Sequence, residues 1–290
     1  MCGSSFFLFS GFLLGKRLNV DNILCGGGNN AADQFKQYIM KLIKLYIIWT
    51  VVYFPLAFYC AIVNDSSLFD DIRYYFCGVF LVGENYHSWI LWYLLSSIYA
   101  LIFISFLLKK GCDIEEVFII SIIVYMFGSL VDWLAYYQGE QYYLNQLHIF
   151  IQDYFKHGRI FIGMLYLTLG MCFSKYKLKR KISILMSVAG YFFIFASIQT
   201  SIAIIICSAG LFGIACNLKM EKLKCSSFLR FMSTAMYFLH LWIWELFSKI
   251  VGRTDGMLVF VGTAVITIFF SALYAKYRIH RREHKMVENS

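Results

Sequence analysis

Apolar runs of membrane-crossing length alternate with short loops rich in lysine and arginine, and this alternation restricts the fold more than any single motif. The runs cover residues 2–15, 45–63, 89–108, 117–137, 160–173, 182–198, 201–216, 228–250 and 257–275. A helix rising 1.5 Å per residue needs about 20 apolar residues to cross a hydrocarbon layer ~30 Å thick. Backbone polar groups inside that layer are satisfied only by a helix or a closed barrel. Charged residues make up 15% of the 290-residue chain, against about 25% in an ordinary soluble domain. The expectation is an all-α, polytopic transmembrane helical bundle of about nine spans, forming one domain over 1–290 with a basic cytoplasmic tail at 276–290.

The basic residues set the direction. Loops 16–44, 109–116, 174–181, 217–230 and 276–290 hold 21 of the 26 lysines and arginines, leaving Arg73, Lys156, Arg159, Lys249 and Arg253 on the other side. Cytoplasmic loops carry that excess, so the amino terminus is expected outside and the carboxyl terminus in the cytoplasm of a cell membrane. The net charge of +9 lies in clusters between spans, and no nucleic-acid signature accompanies it. Within 33–44, Phe35, Ile39, Leu42 and Ile43 recur at helical spacing opposite Lys36 and Lys41, which predicts a cytoplasmic helix lying in the membrane interface. The apolar stretch 74–82 is too short to cross and is expected to be interfacial or re-entrant. Nine scattered cysteines without a CxxC pair read as small apolar filler. Cys60 and Cys77 fall near one face, but nothing demands a bridge.

One span holds a histidine at its middle. Between Arg230 and Lys249 the only ionisable residues are Tyr237, His240 and Glu245. His240 lies about 15 Å from Arg230 along a helix, near the bilayer centre, where an ionisable group faces protein or a polar cavity. Tyr237, three residues before it, shares its face, and Glu245 and Lys249 are spaced for an i,i+4 ion pair. Asp132 sits near the end of its span. His157 and Arg159 open theirs, and the loops beside them hold Glu84, His87, His148 and Asp153. The one HxxxH spacing, His280 and His284, lies in the basic tail, and no HExxH or paired-carboxylate pattern proposes a metal. On the basic side Lys41 and Lys44, one turn apart, offer charge to a phosphate.

Five stretches, in order, resemble the acyltransferase-3 family of integral-membrane acyltransferases. Residues Ser5 to Leu14 (SFFLFSGFLL) are similar to its "FFxxSG" helix, and Lys41-x-x-Lys44 before a proline-containing span to its RxxR-like segment, with lysines in place of the arginine fork. Trp92-Tyr93-Leu94 resembles its "WfL" opening, Gly163 to Gly170 its glycine-bearing span, and Tyr237-Phe238-Leu239-His240 its "iYxxH" helix. The family's first helix, which carries an arginine and the histidine considered its base, precedes the "FFxxSG" helix. This chain begins at the latter, so it reads as amino-terminally incomplete.

The resemblance implies transfer of an acyl group, commonly acetyl, from cytoplasmic acyl-CoA to a hydroxyl of a carbohydrate or lipid-linked glycan, as in polysaccharide O-acetylation, with acyl-CoA as donor substrate and no bound cofactor. In that reading Lys41 and Lys44 hold the donor's phosphates, and Ser10 and Gly11 line the acyl path. His240 and Tyr237 orient the reacting groups, while Glu84, His87, Trp92 and Arg159 are the acceptor-side candidates. Two other readings compete. One is a small-molecule transporter, disfavoured by a single proline (Pro55) and no inverted repeat; the other is a truncated, inactive family member.

Overall fold

The computed structural model describes residues 2–18, 28–63, 67–85, 88–137, 139, 141–197, 200–218 and 226–288. Among them the secondary structure is helical throughout. There are eleven α-helices: α1 Cys2–Leu18, α2 Gly28–Val63, α3 Leu68–Cys77, α4 Trp92–Lys109, α5 Ile114–Ala135, α6 Tyr142–Tyr154, α7 Arg159–Lys175, α8 Arg180–Phe195, α9 Thr200–Asn217, α10 Ser226–Val251 and α11 Met257–Glu288. A π-helical turn, Gly78–Val82, follows α3, and a 3₁₀ turn, Trp89–Leu91, leads into α4.

Five helices contain stretches long and apolar enough to cross a membrane: Asp33–Val63, Trp89–Lys109, Ile114–Ala135, Thr200–Asn217 and Met257–Arg281. Of the other four runs, α1 and α7 have 17 residues and α8 has 16, just under crossing length. Helix α10 has the length, at 26 residues, but carries His240, Glu245 and Lys249 within it.

The chain divides into two compact units, Met1–Leu218 and Lys219–Ser290. In the first, α7 is the hub, with α1, α4 and α5 packed around it. Its inward stretch Gly163–Met171 is almost wholly buried. Small residues let the backbones meet, as expected where association rests on close packing rather than on water exclusion. A Cβ placed on Gly11 would collide with the Leu167 carbonyl, and one on Gly170 with the Leu8 carbonyl. Polar side chains bind the same helices: Ser96 Oγ donates to the Ile160 carbonyl at 2.8 Å and accepts from Gly163 N at 3.1 Å, and Ser121 and Thr168 hydroxyls lie 2.8 Å apart. The core around these contacts includes Phe7, Leu8, Leu101, Ile104, Val117, Leu167 and Met171. Helices α8 and α9 pair through Gly190 against Cys207 and Gly210 against Ser187.

Two sequence expectations are corrected here. The amphipathic stretch 33–44 and the span 45–63 are not an interfacial helix followed by a crossing one; both belong to α2, a single 36-residue helix with Pro55 inside it. Phe35, Tyr46, Tyr53 and Ala57 are buried, and Ile39 and Leu42 half-buried. Those positions keep one helical stripe in register through Lys44, and no glycine or proline stands at the joint to break it. The loop 138–159 contains α6, whose Leu144, Ile151 and the following Phe155 pack on Val131, Leu134 and Ala135 of α5. The stretch 74–82 is the end of α3 and the π turn. That turn closes on Gly83 (φ 75°), whose N–H donates to the Gly78 carbonyl at 2.7 Å.

In the second unit α10 and α11 pack as a hairpin joined through Gly252 and Gly256, both at positive φ. Phe247 fits against Gly262, and Trp244 Nε1 donates to the Thr254 carbonyl at 3.3 Å. Helix α11 continues through the basic stretch after 276.

Candidate functional site

Three of the four resembling stretches in the first unit lie against one another. Phe7 packs on Tyr93 and Trp92, ring centroids 4.4 and 5.8 Å away. The Ser10 and Tyr93 hydroxyls are 3.0 Å apart, and Tyr38 of α2 lies close to Ser10. Gly11, beside them, meets the α7 backbone, so its lack of a side chain serves the α1–α7 crossing. Trp92 is half-buried against Phe7. Lys41 and Lys44 are exposed on α2, as is Lys36. At the same end of α1 and α7 as Arg17 and Lys175, a cavity of about 170 Å³ is lined by Lys16, Ser174, Lys177 and Asn217. The sequence reading overlooked it, although both lysines fall in loops it had placed on one side.

The opposite end of α7 gathers a polar cluster. Arg159 Nη1 pairs with Glu84 Oε2 at 3.4 Å, joining the start of α7 to the segment after the π turn. Arg73 lies 3.5 Å from both Asp70 and Asp153. Lys156, at a positive φ of 54°, donates to the Tyr74 hydroxyl and sits over its ring, 3.9 Å from the centroid. His157 Nδ1 faces Asp132 Oδ1 at 3.6 Å and the Tyr136 hydroxyl at 3.4 Å, with the two rings stacked. Burial, and then the Arg159 guanidinium, hold the His157 pKa below its ordinary value; Asp132 and Glu84 oppose that shift and Lys156 adds to it. The balance favours the neutral imidazole. Of the acceptor-side candidates, Glu84 and Arg159 come together here. Trp92 faces the helix core instead, and His87 lies outside the described residues. The sequence named His157 and Asp132 singly; their pairing, 25 positions apart, has no local signal.

In the second unit Tyr237 and His240 do share a face, ring centroids 6.4 Å apart, and both are half-buried. His240 Nδ1 is 3.1 Å from the Met236 carbonyl. A carbonyl only accepts, so Nδ1 carries the proton, and in the neutral ring Nε2 keeps its lone pair. Glu245 and Lys249 pair at 3.0 Å, as their spacing indicated.

Between α4, α5 and α7 runs an apolar groove of about 720 Å³, lined by residues such as Phe80, Ile102, Phe103, Phe106, Phe161 and Met164. Among the described residues no group of three or more His, Cys, Asp or Glu is placed to hold a metal ion. Cys60 and Cys77 are each half-buried. Comparison of the chain with protein-family models, with curated proteins and with solved structures returns no match.

Proposed function

We propose that the chain is an integral-membrane acyltransferase that moves an acyl group, in the simplest case acetyl, from cytoplasmic acyl-CoA to a hydroxyl of a carbohydrate or glycan acceptor. The observation that carries this reading is the convergence of three of the five resembling stretches. Phe7 and Ser10 of the FFLFSG helix, Trp92 and Tyr93, and the Gly163–Gly170 segment of α7 pack into one cluster, although 83 positions separate Ser10 from Tyr93.

In this reading the short helices α1, α7 and α8, and α10 with its polar residues, also cross the bilayer, giving nine spans with the amino terminus outside. Lys41 and Lys44 hold the donor's phosphates as point charges. In the second unit His240 and Tyr237 orient the reacting groups as the acceptor oxygen attacks the thioester carbonyl, its proton passing to the departing sulfur. The Tyr237 hydroxyl donates to the carbonyl oxygen as negative charge develops there. Collapse expels the CoA thiolate, which leaves as the thiol after protonation.

The test is transfer of labelled acetyl from acetyl-CoA to glycan in proteoliposomes. Misplacing a reacting group costs about 10²-fold in rate, so H240A is expected to fall by about that much. Charge removal at Lys41 and Lys44 should instead raise KM for acetyl-CoA. Solute counter-flow without any acyl transfer would replace the enzyme with a transporter.

A further inference from the structure

The groove between α4, α5 and α7 exists because α4 and α5 both pack on α7 yet diverge from each other. Its walls are almost entirely carbon, and its volume of about 720 Å³ falls in the range of built ligand sites, roughly 300–1,000 Å³. Helices α4 and α5 are both of crossing length and hydropathy, so the groove lies at hydrocarbon depth, where a chain of methylenes can enter and a polar molecule cannot.

At one end the residues that line the groove adjoin a polar cluster along the chain. Phe80 and Leu81 line it from the π turn, four and three residues before Glu84; Phe155 and Ile160 line it from either side of the turn that carries Lys156, His157 and Arg159. The Glu84–Arg159 pair ties those two segments together. Whatever fills the groove therefore has a hydrocarbon part and a polar part.

The charges there select the polar part. Each arginine already faces a carboxylate: Arg159 faces Glu84, and Arg73 faces Asp70 and Asp153. A phosphate would have to displace those partners and would meet like charge from Asp132 beside His157. Hydroxyl groups fit without displacement, since each donates to a carboxylate and accepts from a guanidinium or ammonium. The Tyr74 and Tyr136 rings add flat faces to the same cluster.

We propose that the groove seats the hydrocarbon chain of a glycolipid, with its hydroxylated head held among Glu84, Arg159 and His157. This deepens the acyltransferase reading, on which the head's role as acceptor rests, by making the acceptor lipid-linked. Its binding does not depend on that reading.

Three lipids with the same diazirine-bearing chain test it in reconstituted protein: an alkyl glucoside, a phosphatidic acid and a phosphatidylcholine. After irradiation the label is mapped to peptides by mass spectrometry. The glucoside should label residues 99–106 and 155–164 well above the exposed face of α8. Ile102 is 47% exposed, so I102W fills the groove without disturbing the core, and should cut that labelling about tenfold. The E84Q/R159Q double variant should erase the preference for glucoside over phosphatidic acid while leaving chain labelling in place. Equal labelling of the groove and of α8, or indifference to I102W, would make the groove ordinary lipid-facing surface. Preference for phosphatidic acid would overturn the head assignment. Complete protection of residue 102 from all three probes would mean that protein fills the groove. Selective glucoside labelling without any acyl transfer would uphold the site and remove the enzyme. Transfer to a water-soluble sugar with no groove labelling would do the reverse.

Discussion

His157 joins pH to stability through its surroundings. Its folded pKa lies below the ordinary 6.5 because burial and Arg159 disfavour the imidazolium. The unfolded chain therefore binds the proton first as pH falls. Stability from this residue is complete above about pH 6.5 and is lost as pH drops toward the folded pKa. Melting temperature should decline between about pH 7 and about pH 5, and H157Q should flatten that slope; an unchanged slope would locate the proton elsewhere. Glycines divide by cause. Gly11 has no room, since its missing Cβ is where the Leu167 carbonyl stands, so G11V should cost about 1–3 kcal/mol by overpacking. Gly111 has open space but φ +88°, so G111A should cost only about 1–2 kcal/mol of left-handed strain. Thermal unfolding in detergent separates the two. The local pairs were legible in the sequence: Tyr237 with His240, and Glu245 with Lys249, follow from helical spacing alone. Ser10 with Tyr93 and Asp132 with His157 were not, because each pair is made by packing between distant segments.

Among the elements, α2 shows how charge density misleads. Lysines crowd residues 36–44 and vanish afterwards, which suggests two helices of different kind. The buried stripe through Phe35, Ile39, Leu42, Tyr46 and Tyr53 was equally visible and decides the matter, since packing needs one rigid face. Spin labels at the exposed positions 36 and 58 should lie about 33 Å apart along a continuous helix. A right-angle turn at 44 would bring them to about 24 Å, and that distance would restore the interfacial helix. Helix α6 was missed for the opposite reason. Its segment lacks membrane length, so it read as loop, although Leu144, Ile151 and Phe155 keep a helical period.

At the scale of the whole molecule, run lengths and loop charges carried the helical architecture, and the five clear crossing helices follow from hydropathy. The proposed orientation has a direct check. A membrane-impermeant thiol reagent on intact cells should reach residue 77 from outside, and residue 112 only after the membrane is opened; the reverse would invert every loop. Helices α1, α7 and α8, with 16 or 17 residues, are about 24–26 Å long, while the hydrocarbon they face is ~30 Å thick. In the nine-span arrangement these three helices are too short for the lipid beside them, so the two leaflets must pinch toward each other there. Such a dimple would shorten the trip of any group passed between the aqueous faces, and would make turnover sensitive to the thickness of the host bilayer.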